Sequence, residues 1–277
     1  MSSNSRSSAL ELAGRRLWVE ESGSGDAVLL LSGLGYASWC WRDVTAELSA
    51  RARAIAVDNR GTGRSDKPAG PYSIAMLADD AVEVLDALGV NEAHVVGHSM
   101  GGYIALTLAL RHPARVHSLV LIATGAGGPT ALPVPEQTLK SWHASSHLPP
   151  AEYARKTMPL SYAPGWAEAN RDRFETHLKA RLEFPTPPEC WAAQFDACER
   201  YLEEGIDAAG IRAPALVVHG TEDRVVPFAN GESLAAALAG SRLVAVKGAG
   251  HLCFLERPLA LSRIMVDAVD RFQENAS

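Results

Sequence analysis

The sequence predicts an α/β protein built on a doubly wound, mostly parallel eight-stranded sheet with a helical lid insertion. Three observations predict it. Short runs rich in Val, Leu, Ile and Ala recur along the chain, amphipathic stretches separate them, and one long segment without a core strand breaks the rhythm. At 277 residues, with 47% hydrophobic and 21% charged residues, the chain can bury one large domain and carry an insertion.

The first eight residues, MSSNSRSS, are small and polar and predict a frayed terminus. No apolar run follows them, which predicts no export signal and hence a cytoplasmic protein. ALELAGRRLWVEESG (9–23) reads as an antiparallel hairpin on one sheet edge. The predicted strands are AVLLLSG (27–33), RAIAVDN (53–59), AHVVGHS (93–99), SLVLIAT (118–124), PALVVHG (214–220) and SRLVAV (241–246). Each is too short for a helix and nearly continuously apolar, as parallel strands covered on both faces are. IAMLADDAVEVLDALG (74–89) has apolar residues at three- and four-residue spacing and ends on a glycine C-cap. SMGGYIALTLALRHP (99–113) stops at a proline, and RPLALSRIMVDAVDRF (257–272) closes the chain as a further helix. Right-handed crossovers through these helices give the doubly wound arrangement.

Between about Gly127 and Gly210 no core strand is evident, while Trp142, Tyr153, Tyr162, Trp166, Trp191 and Phe195 punctuate helical stretches. This divides the chain into core (1–126), helical cap (127–210) and core again (211–277). The cap is either a peripheral helical layer with its own small core or a lid over a ligand site; the lid is the expectation, because long insertions after sheet strands often serve that way.

Composition excludes several function classes. The net charge is −6 and no Lys/Arg cluster is interleaved with aromatics, so no nucleic-acid partner is expected. No segment approaches eighteen uninterrupted apolar residues, so no membrane span is expected. Cys40, Cys190, Cys198 and Cys253 are scattered and read as reduced thiols. Cys190 and Cys198 share a helical face but lie two turns apart, too far for a disulfide. No paired metal-ligand spacing occurs, and neither metal nor cofactor is expected.

In open parallel sheets, ligands bind beyond the carboxyl ends of the strands. Four candidate segments fall there: Ser99 after HVVGH, Asp223 after LVVHGTE, His251 after LVAVKGAG, and SGLG (32–35) after AVLLL. Alone, Ser99 could equally cap a helix in a glycine-rich contact. With an acid and a histidine at matching strand ends it reads as a nucleophile. A serine hydroxyl needs an imidazole to take its proton, and a carboxylate on the other ring nitrogen fixes the tautomer and stabilises the imidazolium. Gly97 and Gly101 suit a sharp strand-to-helix turn, and Gly102 suits close helix packing.

These segments resemble the α/β-hydrolase superfamily. GHSMGG resembles its nucleophile elbow, GTEDRVVP its acid turn, GAGHLCFLERP its histidine loop, and DNRGTGRSD (58–66) the turn many members carry after the strand preceding the elbow. The resemblance implies Ser99 as nucleophile, His251 as general base and then acid, and Asp223 as the orienting carboxylate. The neighbouring Glu222 is set aside because Gly220 to Asp223 matches the family's Gly-x-x-Asp spacing. It also implies an oxyanion hole from the backbone N–H of Met100 and a second donor in SGLG, assigned to Leu34; the alternative for SGLG is a plain tight turn. Ser32 stands where many members have histidine, which puts the support of that loop in question. His98 is expected to pack structurally, pointing away from Ser99. His94, His112, His117 and His219 have no placed partner and are taken as solvated or structural. Asp58 and Arg60 are expected to form a structural turn rather than a catalytic pair. The aspartate-nucleophile branches, haloalkane dehalogenases and epoxide hydrolases, are disfavoured by the serine at the elbow.

The layout is similar to small carboxylesterases, 3-oxoadipate enol-lactonases and cofactor-free haloperoxidases. LLSGLGYASWCW and RGTG…YSIAMLADD are also similar to aminoacrylate or carbamate hydrolases. The expected function is hydrolysis of a small, largely apolar ester or lactone through an acyl-enzyme, since the aromatic, leucine-rich insertion suits an apolar group. The alternatives are carbon–carbon or carbon–nitrogen hydrolysis, or perhydrolysis, with the same three residues, and a small-molecule receptor on the same scaffold.

Overall fold

Val28 and Leu30 project from one face of a short strand, Leu29 and Leu31 from the other, and all four are fully buried. That two-sided burial is why the run carries no polar alternation. The strand is β3 (Ala27–Leu31), near the middle of a sheet in a computed structural model that describes residues 5–274.

Among the described residues the sheet has eight strands: β1 (Ser5–Leu12), β2 (Arg15–Ser22), β3, β4 (Arg53–Val57), β5 (Ala93–His98), β6 (Val116–Ile122), β7 (Ala215–Gly220) and β8 (Arg242–Val246). Their spatial order is β1-β2-β4-β3-β5-β6-β7-β8. β1 and β2 pair antiparallel, β2 joins β4 antiparallel, and every other pairing is parallel. The hairpin does begin the sheet edge, but it starts earlier than the sequence suggests. Ser5 pairs with Ser22 and Ser8 with Val19, so Ser5–Ser8 are strand rather than frayed terminus. An edge strand exposed on both faces needs no apolar residues to make its ladder, and most of β1 is exposed. The remainder of the polar start lies outside the described residues.

Helices cover both faces. Helices α2 (Ile74–Ala87) and α3 (Met100–Arg111) share a core cluster with Leu29 and Leu31. The opposite cluster gathers Val28 and Leu30 with α1 (Arg42–Leu48) and α11 (Pro258–Glu274). Ser73 caps α2 by accepting a hydrogen bond from Met76 N at 3.1 Å. Between β6 and β7 the chain makes no strand and forms α4 (Glu136–Ser145), α5 (Pro150–Thr157), α6 (Trp166–Ala169), α7 (Arg171–Glu183) and α8 (Pro188–Glu204). The core resumes with α9 (Phe228–Ala237) after β7 and α10 (Cys253–Glu256) before α11. All four cysteines are buried and unpaired, and burial pushes the Cys40 thiol up to about 12. Among the described residues no helix is long and apolar enough to cross a membrane.

Leu29→Ala empties a fully buried site in the central strand. It should cost about 2–5 kcal/mol of unfolding free energy. Urea denaturation of the two proteins measures this, and a loss below about 1 kcal/mol would contradict the packing described.

Candidate active site

β5 ends at His98 and α3 begins at Met100, leaving Ser99 alone to turn the chain. Ser99 does so at φ 54°, ψ −120°, a conformation that side chains other than glycine rarely adopt. Its backbone is held on every side. Ser99 N–H donates to the Ile122 carbonyl at 2.9 Å, and its own carbonyl accepts from Gly102 N (2.8 Å) and Thr124 Oγ1 (2.9 Å). The flanking glycines are required by contact: a Cβ on Gly97 would strike the Gly101 carbonyl, and one on Gly101 would strike the Leu31 carbonyl. Gly102 lies against Thr124, where a Cβ would come within 2.5 Å of the side chain. Met100 is the first residue of α3, so its N–H belongs to the first turn, whose donors have no intrahelical acceptor.

β7 and β8 supply the acid and the histidine. Asp223 Oδ1 accepts from Val225 N (2.8 Å) and Val226 N (2.9 Å), while Oδ2 accepts from His251 Nδ1 at 2.8 Å. That bond places the His251 ring proton on Nδ1 and leaves Nε2 as the basic nitrogen. The Asp223 side chain is fully buried whereas Glu222 is exposed, which separates the two acids. Burial pushes the Asp223 carboxyl up, but the His251 charge and the hydrogen bonds from His219 and His251 outweigh it. The carboxyl is held well below the usual range.

His219, which sequence alone leaves without a partner, is buried with Nε2 at 2.9 Å from the Val226 carbonyl and 3.2 Å from Asp223 Oδ2. Its position four residues before the acid was the available signal. His98 packs, but it does not turn away from the site as expected: it lines the same cavity as Ser99 and His251, its ring centroid is 4.7 Å from that of His251, and its Nε2–H donates to the His251 carbonyl at 3.1 Å. Burial, then the neighbouring His251 charge, drives its pKa well below the ordinary value, so the ring is neutral. His94 bonds Ser118 Oγ at 2.7 Å at the other end of the sheet. Asp58 accepts from Ser38 N (2.6 Å) and Arg64 N (2.7 Å), while Arg60 pairs with Asp80 at 2.6 Å. Both are structural, and they do not pair with each other.

The SGLG segment forms a turn closed by Tyr36 N–H to the Gly33 carbonyl at 3.0 Å, with Gly35 at φ 71°. Ser32 supports it differently from a histidine. Its Oγ accepts from Trp41 Nε1 and its carbonyl from Asn59 Nδ2, both at 3.0 Å. Gln194 of α8, fully buried and distant in the chain, has no counterpart among the residues expected from the sequence. Gln194 Oε1 accepts from Gly35 N–H at 3.0 Å and its Nε2 donates to the Arg60 carbonyl at 2.8 Å. One glutamine on an amphipathic helix has no local signature, so only the fold reveals it. Glu256 is similar: its Oε1 accepts from Gly250 N and Ala163 N, both at 2.9 Å, tying the histidine loop to the inserted helices.

Ser99 and His251 line one cavity of about 90 Å³, with Gly33 and Leu34 on its wall. Arg181 of α7 also lines it; the guanidinium sits 4.8 Å from the Tyr36 ring centroid, donates to Tyr36 Oη at 3.2 Å, and makes no ion pair among the described residues. Among the described residues no group of three or more His, Cys, Asp or Glu side chains is placed to hold a metal ion.

Comparison with known proteins gives a consistent picture. A family model described as the alpha/beta hydrolase fold matches residues 26–258. The chain is 34% identical over 264 residues to a 2-hydroxymuconate semialdehyde hydrolase of Pseudomonas sp. (strain CF600), covering 92% of this chain and 90% of that one. An enol-lactonase from Burkholderia xenovorans LB400 superposes with a TM-score of 0.83 at 28% identity, covering 95% of this chain and all (100%) of the other. An N-acyl homoserine lactone degrading enzyme superposes with a TM-score of 0.78 at 30% identity, over 94% and 99% of the two chains.

Two outcomes test this geometry. Gln194→Met strands the Gly35 N–H and the Arg60 carbonyl and should cost about 1–3 kcal/mol in urea unfolding; a neutral effect would contradict the bridge. Because the folded Asp223 pKa lies below its ordinary 3.8, its carboxylate contributes stability above that pH and loses it as pH falls toward the folded value. Wild type should therefore lose Tm on acidification below about pH 4 more steeply than Asp223→Asn, and parallel Tm profiles would refute this.

Proposed function

The chain is a hydrolase that belongs to the α/β-hydrolase family, and on that premise we propose that it cleaves a carboxylic ester or lactone of a small, largely apolar substrate through an acyl-enzyme. The observation that carries this reading is the Asp223–His251 hydrogen bond at 2.8 Å beside a strained Ser99 in one cavity. In this reading Ser99 Oγ attacks the carbonyl carbon and its proton passes to His251 Nε2. The oxyanion accepts hydrogen bonds from Met100 N–H and Leu34 N–H. As the tetrahedral intermediate collapses, the bond to the leaving oxygen breaks and that oxygen takes the proton from His251. Water then attacks the acyl carbon, gives a proton to His251, and Ser99 leaves with that proton restored. Asp223 stays ionised throughout and stabilises the imidazolium, in keeping with its lowered pKa. The inserted helices act as a cap over this cavity.

A second reading keeps the same residues and cleaves a carbon–carbon bond beside a carbonyl. Arg181 favours it, because an unpaired guanidinium on the cavity wall suits a substrate that carries a carboxylate. The similarity to a hydrolase of 2-hydroxymuconate semialdehyde points the same way. The receptor alternative is set aside, since the chain is a hydrolase.

Ser99→Ala should lower kcat on p-nitrophenyl acetate by at least about a thousandfold and abolish labelling by a fluorophosphonate. Full retained activity would overturn the serine mechanism. A panel containing an ester, a lactone, a carbamate and a vinylogous diketone bearing a carboxylate separates the two readings. If the diketone dominates, Arg181→Leu should raise its KM more than that of p-nitrophenyl acetate.

A further inference from the structure

His219 is the penultimate residue of β7, fully buried beneath the turn that carries Asp223. Its ring is seated against α9: a Cβ on Gly231 would come within 2.4 Å of Nδ1, and the Phe228 ring meets it edge-on at 5.7 Å. Nε2 lies 2.9 Å from the Val226 carbonyl, which can only accept, so the ring proton sits on Nε2. Nδ1 is buried without a hydrogen-bond partner, so a second proton there would be stranded and the ring serves as a single N–H donor. That N–H also faces Asp223 Oδ2 at 3.2 Å, the oxygen that accepts from His251 Nδ1 at 2.8 Å. The other carboxylate oxygen is taken by the Val225 and Val226 amides. Two imidazoles therefore draw on one oxygen. His251 lines the Ser99 cavity and His219 does not.

We propose that His219 is a positioning residue: by donating to the same Asp223 oxygen as His251, it limits how strongly the carboxylate retains a proton on His251 and so sets the lower pH bound of catalysis. The inference rests on the roles of Ser99, Asp223 and His251 proposed above. Each donor on a carboxylate weakens its pull on a further proton. Without His219, Oδ2 would stabilise the His251 imidazolium more, and the base form that takes the Ser99 proton would appear only at higher pH. The other titratable groups around the pair are His98 of β5, Tyr103 of α3, Cys253 and Glu256 of α10, and Arg224 of the acid turn. Burial keeps His98 neutral and Tyr103 and Cys253 protonated, while Glu256 and Arg224 are bonded to backbone groups. None of them hydrogen-bonds to His219, so the difference between wild type and a variant at 219 reports the shared oxygen. A ring that only filled space beside Gly231 could be exchanged for another without moving the pH profile.

The test follows kcat/KM of the full chain on p-nitrophenyl acetate from about pH 5 to about pH 9, where the acid limb reports the base of the free enzyme. Phenylalanine at 219 keeps a ring and removes the donor, whereas glutamine restores a donor near the place of Nε2. In His219→Phe the acid limb should move up by about 0.5–1 pH unit, and in His219→Gln it should lie within about 0.2 unit of wild type. A limb that stays within about 0.2 unit in folded His219→Phe overturns the proposal, as does an equal displacement in both variants. Should His219→Phe fail to fold, His219→Asn, whose amide is one methylene shorter than that of glutamine, takes its place under the same criteria. Ser99→Ala and His251→Gln in the same assay tell this failure apart from failure of the serine mechanism. Activity undiminished in either one removes that mechanism, and activity that needs both residues but keeps its limb removes only the role of His219.

Discussion

The close approach of three backbones around Ser99 is the constraint on which the site depends. β5 runs into α3 with no loop between them, which forces Ser99 to φ 54° and brings Gly97 and Gly101 within contact distance. Gly101 in turn rests against the Leu31 carbonyl, at the end of the neighbouring strand β3. The serine, the start of α3 and the turn after β3 are therefore one rigid assembly. Strain of this kind costs about 1–3 kcal/mol and persists only where the surroundings over-determine it. Here the Ser99 peptide groups are bonded to β6 at Ile122 and to Thr124 just beyond it. The sheet centre supplies the rigidity and its carboxyl edge receives the strained residue.

The inserted helices are bound to this edge by polar contacts rather than by apolar packing alone. Gln194 holds the turn after β3, Glu256 joins Gly250 to Ala163, Arg224 donates to the Pro159 and Tyr162 carbonyls at 3.0 and 3.1 Å, and Leu252 N–H donates to the Ser161 carbonyl at 2.8 Å. Each contact lands on a loop that carries a candidate site residue or on its neighbour. Buried polar bridges of this kind are directional, and stranding one partner is expensive. They tie the helices to the loops of that edge, and aromatic side chains of these helices line the cavity.

The sheet was legible because parallel strands covered on both faces have to be apolar, and the five runs from AVLLLSG to PALVVHG form largely buried strands. SRLVAV also forms a strand, but β8 is a sheet edge and is mostly exposed or half-buried, not covered on both faces as expected. The Ser99, Asp223 and His251 segments were legible because glycines and strand ends leave a local pattern. The residues that leave no local trace act across the chain. Gln194 meets Gly35 from 159 positions away, and Arg181 reaches Tyr36 from 145; neither spacing has a periodic or motif-like trace. Ser5–Ser8 escaped for the opposite reason: an edge strand is held by backbone hydrogen bonds, so its side chains carry no apolar signal. Ser32 was misleading as a missing histidine, since Trp41 and Asn59 brace the turn instead.

The electrostatic surroundings of His251 follow from the same crowding. Two further imidazoles, His98 and His219, are fully buried near the Asp223–His251 pair. A charge on His98 would repel any proton gained by His251, and burial removes that conflict by keeping His98 neutral. Among the described residues, the one counter-charge within hydrogen-bonding distance of His251 is then Asp223, itself fastened by the Val225 and Val226 amides and the His219 ring. Those donors share the carboxylate charge, which keeps Asp223 ionised and in place. A carboxylate held by His251 alone would swing with the ring. Held by four N–H groups, it fixes the orientation of the His251 ring, and His251 lines the cavity shared with Ser99.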